Sequence, residues 1–197
     1  GEMMGGDNLA GEMAGGEMMM PPPACAAPLV GDLLINEVLI DADDESRGEF
    51  IEVLNQSDLS VNLDRIELLY QAPSGSLETK ITFEPGCMAP HSAMVIYNNT
   101  REQSWFWSTP TADSQALGSG HSTFGLANSR DAVLELRAGS GQRLSQLTVP
   151  RSDITEEVSI NRSPDAVESS MIVLHDSISG ISSSPGSRPD GARYEDR

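Results

Sequence analysis

Basic residues are scarce in this chain of 197 residues: Lys and Arg total 12 against 30 Asp and Glu, a formal charge of −18. Lys80 is the single lysine, and arginines make up the rest. Such an excess of negative charge repels phosphate backbones and anionic lipid, which excludes sequence-independent nucleic-acid binding as a function. Apolar runs are short, and none approaches the ~20 residues a membrane span needs. The N-terminus shows no basic segment followed by an apolar one, so no signal peptide is read in the chain as given. Aromatics are 5% of residues, so any core must be aliphatic. Cysteine is limited to Cys25 and Cys87, which match neither a zinc spacing nor a CxxC redox pair. A disulfide between them fits an exported protein, and two unpaired thiols remain the alternative. No GxSxG, HExxH or GxxxxGK[ST] stretch occurs, and His91, His121 and His175 are scattered. The chain is expected not to be an enzyme and to carry no cofactor.

Several features stand out against these absences. "GEMMGGDNLA" is followed by "GEMAGGEMMM", an imperfect ten-residue repeat, and then by "PPPACAAP". Glycines oppose a helix there and no alternation supports a strand, so residues 1–30 read as a low-complexity tether with a stiffer proline spacer. Clustered methionines also suit soft ions such as Cu(I), but no His accompanies them.

From Gly31 onward, short apolar runs alternate with turn-rich stretches such as "PSGS" and "AGSGQ". Nine strands are expected, at 33–40, 49–55, 61–70, 79–83, 93–98, 132–138, 144–149, 158–161 and 171–175. No apolar pattern recurs at helical spacing for three turns. The pattern is that of an all-β sandwich. A long insertion, 100–129, interrupts the spacing, and residues 188–197 read as a loose C-terminal tail beyond a domain at 31–187.

The order of motifs then carries a resemblance. "LLINEVLIDADD", "GEFIEVLNQSDLSVNLDRIELL", "FEPGCMAPHSAMVIYN", "FGLANSRDAVLELRAGSGQRLSQLTV", "SINRSPDA" and "SSSPGSRPD" resemble, in that order, a lamin tail domain. The resemblance covers about residues 32–187 and implies an immunoglobulin-like β-sandwich. It is closest to the bacterial, stand-alone form, with no catalytic residues to carry over. It implies a non-catalytic interaction or adhesion module located outside the cell or at its surface, on the periplasmic side, compatible with a lipid anchor on a removed N-terminus.

Two binding sites are candidates beside that reading. Asp41, Asp43, Asp44 and Glu45 offer hard oxygen ligands in a short loop between strands, as Ca2+ requires, although EF-hand spacing fails. Trp105, Phe106 and Trp107 form either a cap on the sandwich edge or an exposed patch for a carbohydrate or protein partner. A third pattern concerns "GEFIEVLNQS" and "LLINEVLI". Alternation places Glu52 with Phe50 and Leu54, and Glu37 between Ile35 and Leu39. A hairpin with Ile40 opposite Glu49 puts Glu37 directly opposite Glu52. Two like charges so placed require a raised pKa, a cation or a nearby arginine, and Arg65 or Arg162 is the preferred partner.

Overall fold

A computed structural model describes residues 25–44, 48–97, 114–118 and 125–196. Its strands are β1 (Leu33–Leu39), β2 (Phe50–Asn55), β3 (Val61–Asn62), β4 (Glu67–Gln71), β5 (Leu77–Thr82) and β6 (Cys87–Met88). They continue with β7 (Ser92–Tyr97), β8 (Ser114–Gly118), β9 (Ala132–Arg137), β10 (Arg143–Val149), β11 (Ile160–Ser163) and β12 (Met171–Leu174). One sheet runs β12-β11-β1-β2-β7-β8, a second runs β10-β9-β4-β5, and β3 pairs with β6. The only α-helix among the described residues is α1 (Asp176–Ser179), and no helix there is long and apolar enough to cross a membrane. The protein is an all-β, immunoglobulin-like sandwich.

The strands differ from the sequence expectation where local turn chemistry intervenes. The run 61–70 is split into β3 and β4 because the chain turns at Asp64 and Arg65, with Arg65 at φ 58° and the Asn62 side chain accepting from the Asp64 N–H. Cys87 and Met88, expected in a turn, extend to pair with Asn62 and Val61. β8 lies within the insertion and runs parallel to β7.

Alternation builds the core. Ile51 and Val53 of β2 and Met94 and Ile96 of β7 point inward to meet Leu68, Leu134, Leu136 and Leu147 of the facing sheet. A residue at alternate positions on a strand faces the opposite side, so Phe50, Glu52 and Leu54 point away from this core. That outer face is buried as well. Leu34, Leu54 and Ala93 pack against Ala166 and Tyr194 from the C-terminal segment. Residues 188–197, expected to be loose, are therefore docked as far as they are described: Tyr194 is 1% exposed, and the apolar patch of Leu34 and Leu54 holds it.

β1 carries the irregularity that places the site. Its register with β2 shifts between Ile35 and Glu37, leaving Asn36 as the bulged residue. A bulge re-aims the side chains that follow it. Ile35 and Val38 both enter the core, while Glu37 joins Leu34 and Leu39 on the outer face. The expected sharing of one face by Ile35, Glu37 and Leu39 is thus corrected by the bulge.

Candidate functional site

Across the outer face of the six-stranded sheet, Asn161, Glu37, Glu52 and Val95 stand in successive register positions on β11, β1, β2 and β7. Glu37 and Glu52 are direct cross-strand partners, and both are 0% exposed. Two ionised carboxylates cannot be held dry at that spacing without compensation.

All but one of the donors come from the C-terminal part of the chain, the exception being Asn36. Ser159 Oγ donates to Glu37 Oε1 at 2.5 Å, Ser184 N–H donates to the same oxygen at 3.0 Å, and Ser184 Oγ reaches Oε2 at 3.3 Å. Tyr194 OH donates to Glu52 Oε1 at 2.7 Å, Gly186 N–H to Oε2 at 2.8 Å, and Asn36 Nδ2 to Oε1 at 3.0 Å. The bulge is what turns the Asn36 amide toward Glu52. Its carbonyl oxygen accepts from Ala166 N–H at 2.9 Å, and Nδ2 also reaches Asp165 at 2.9 Å. His175 is completely buried, with Nδ1 3.3 Å from Glu37 Oε1. That contact lacks the alignment of a hydrogen bond, so it is a close polar approach and no more.

Electrostatics follow from burial. Desolvation raises the Glu37 carboxyl from 4.5 to about 7, against the lowering effect of Ser159 and Ser184. Desolvation and then the Glu37 charge push Glu52 well above its ordinary value. Burial, with the charges of Glu52, Asp165 and Glu37, also pushes the Tyr194 phenol well up. Burial lowers the pKa of His175, so this imidazole favours the neutral form. Both shifts favour the protonated carboxyls, the first of the three compensations expected for the pair.

The arginines expected to neutralise it are elsewhere. Arg65 is on the surface, 82% exposed and 3.8 Å from Asp64. Arg162 is buried but turns away from the carboxylates: Nε donates to Ile35 O at 2.8 Å, Nη2 to Gln146 O at 2.7 Å, and Nη1 to Glu168 O. It also pairs with Glu168 at 3.2 Å. The bulge frees the Ile35 carbonyl for this arginine, which ties β1, β10 and the 164–170 loop together.

The other sequence candidates separate. Asp41 accepts from Asn128 Nδ2 at 2.7 Å, and the Asp43 N–H donates to Glu157 at 2.5 Å. Asp43 and Asp44 line a recess of about 340 Å3 with Glu157, Ser182 and Ser183. Among the described residues no group of three or more His, Cys, Asp or Glu side chains is arranged to hold a metal ion. Glu45 lies outside the described residues, as do Trp105, Phe106, Trp107 and His121. Cys25 and Cys87 are joined in a disulfide, with Cα atoms 5.8 Å apart. His175, one of the scattered histidines, is interior. Sequence reasoning missed Ser159, Ser184 and Tyr194 as partners of the pair. The one available signal was a lone tyrosine in an otherwise Ser/Gly/Pro/Asp/Arg-rich tail.

What this arrangement can do chemically is limited by its lid. Each carboxyl oxygen of the pair accepts from at least one donor of the same chain, and neither recess described for this fold, at 39–48 and 182–183 or beside β12, is lined by them. It is a structural hydrogen-bond network, fully enclosed. A search of curated proteins finds no match to the chain. The family model of the lamin tail domain matches residues 26–151, which hold both carboxylates and Cys87 but not Ser159, His175, Ser184 or Tyr194. That match spans more than half of the chain, and the protein belongs to the lamin tail domain family.

Proposed function

We propose that this protein is a non-catalytic interaction or adhesion module that works outside the cell or on its surface. The family is a non-catalytic immunoglobulin-like one, which supports the first half of that reading. The observation that carries the second half is the Cys25–Cys87 disulfide. It fastens the start of the described chain to β6, and Ala26 bridges to Val61 of the partner strand β3. Disulfides of this structural kind persist in oxidising compartments and are rare where glutathione keeps thiols reduced. The anchored residue lies next to the 1–24 segment, so the bond sets the point from which a tether would present the sandwich. A charge of −18 favours basic protein partners over nucleic acid or anionic membrane.

The test is thiol trapping in intact producing cells, combined with added protease that does not enter them. The expected result is an oxidised Cys25–Cys87 pair and a chain cleaved from outside. Two alkylatable thiols in a chain that the protease leaves untouched would contradict the proposal.

A further inference from the structure

Sheet edges offer unpaired N–H and C=O groups, and proteins usually guard them with charge, proline or a bulge. The two sheets of this protein treat their edges differently. β5, at the end of the four-stranded sheet, carries Glu78 and Lys80. β12, at the end of the six-stranded sheet, reads Met-Ile-Val-Leu, with neither charge nor proline. It pairs with β11 through four regular register positions and has no strand on its far side among the described residues.

The side chains beside this edge are not sealed. Met171 is 75% exposed, and Ile178 and Ile181 just beyond it are exposed too. Ile172 and Leu174 are half-buried, with one side against the core. With Ile160, Val173 and Ser177 they line a groove of about 380 Å3, together with Ser152 and Asp153 of the short turn after β10. The groove thus lies against β12, the last strand of the sheet among the described residues. At its C-terminal end Ser177 Oγ donates to the Leu174 carbonyl at 2.6 Å, which marks where the free edge stops.

We propose that β12 is a docking edge at which a partner's extended segment adds as a further strand of the six-stranded sheet. The segment that fits alternates apolar and basic residues. Strand addition supplies main-chain hydrogen bonds, and side chains of one parity enter the groove over Ile172 and Leu174. Basic residues in the segment answer the acidity of the protein: Asp153 lines the groove, Asp176 is exposed two residues after Leu174, and the whole chain carries −18. A second copy fits less well, because two bodies of −18 repel as they approach edge to edge. The proposal rests on the interaction-module reading and names the chemistry of its partner.

The test is fluorescence anisotropy on the full, oxidised chain at about 0.15 M salt. The probe is a short labelled peptide alternating valine and lysine. Two control peptides accompany it, one alternating valine and glutamate, the other the valine–lysine peptide N-methylated on alternate backbone nitrogens. The protein variant is Met171→Lys/Val173→Lys, which guards the edge as Lys80 guards β5, checked for an unchanged melting temperature. Saturable binding of the first peptide is expected, weakened roughly tenfold or more by each control and by the variant. No saturable binding, or equal binding by the N-methylated peptide or by the folded variant, overturns the proposal. These outcomes do not depend on location. A chain that binds the peptide yet holds free thiols in cells refutes export and keeps the docking edge; an exported chain that ignores the peptide does the reverse.

Discussion

Glu37 and Glu52 face one another across the β1–β2 ladder, neither exposed, each capped by backbone and hydroxyl donors from residues 159–194. Opposed carboxyls in a dry site look like catalytic machinery in sequence. Here they serve as the anchor on which the C-terminal segment is hung.

The pair sets the pH dependence of stability. Burial raises the Glu37 carboxyl from 4.5 to about 7 and pushes Glu52 well above its ordinary value, so the folded state holds protons that the unfolded chain releases. Stability therefore falls as pH rises above 4.5, by on the order of 1.4 kcal/mol per pH unit for each carboxyl that stays protonated only in the fold. His175 has the opposite sign, since its lowered pKa costs stability as pH falls below 6.5. The clean window is therefore above 6.5. Thermal melts from pH 6.5 to about 8 should show a falling melting temperature in the wild type. Glu52→Gln should show a shallower slope, and Glu37→Gln/Glu52→Gln a nearly flat one. A wild-type melting temperature that rises through this window would contradict the assignment.

Tyr194→Phe keeps the ring on Leu34 and Leu54 and deletes only the hydroxyl bonded to Glu52. Leaving that buried acceptor one donor short should cost about 1–3 kcal/mol in urea unfolding. The same change should speed proteolysis within 181–196 before the sandwich itself is cut. Cleavage rates equal to wild type would show that the hydroxyl does not hold the segment.

Arg162 gathers the carbonyls of Ile35, Gln146 and Glu168 from three separate elements. Arg162→Ala strands these three carbonyls, while the half-exposed Glu168 carboxylate keeps Ser145 Oγ and Gln146 N–H as donors, and should cost about 1–3 kcal/mol. Arg162→Lys should rescue little, because an ammonium cannot replace a planar fork reaching in three directions. Equal urea midpoints for the lysine variant and wild type would refute the bridging role.

The Cys25–Cys87 bridge closes a loop with a sequence separation of 62. Its chain-entropy contribution is ~4 kcal/mol, so Cys25→Ser/Cys87→Ser, or reductant, should lower the melting temperature markedly. A melt insensitive to reductant would mean that the bond adds nothing to stability in solution.

The all-β sandwich was legible because short apolar runs such as Phe50–Asn55 and Ser92–Tyr97 are separated by turn-rich stretches, with no apolar pattern at helical spacing. The facing of Glu37 and Glu52 follows from counting back across the 41–48 turn. The bulge at Asn36 was not legible: it leaves the carboxylate register intact and shifts only Ile35 and the residues before it. The neutralising partners were also hidden. Arginine is the sequence's natural counter-charge, yet Arg162 is captured by the Ile35 carbonyl at the same bulge and by the carbonyls of Gln146 and Glu168. The donors in its place are backbone N–H groups and hydroxyls in a Ser-rich stretch whose composition reads as solvent-exposed. Composition says what a segment prefers in isolation, whereas two buried carboxyls waiting for donors determine where this one goes.

The most direct measurement is a carbon-13 NMR titration of the side-chain carboxyls, with Glu37→Gln and Glu52→Gln to assign the two resonances. The account predicts that both buried carboxyls titrate well above the ordinary carboxylate range, Glu37 near 7, and that both are unmoved by added calcium or EDTA. Two carboxyls that ionise together near 4.5 would mean that the site is wet and the C-terminal segment is not its lid.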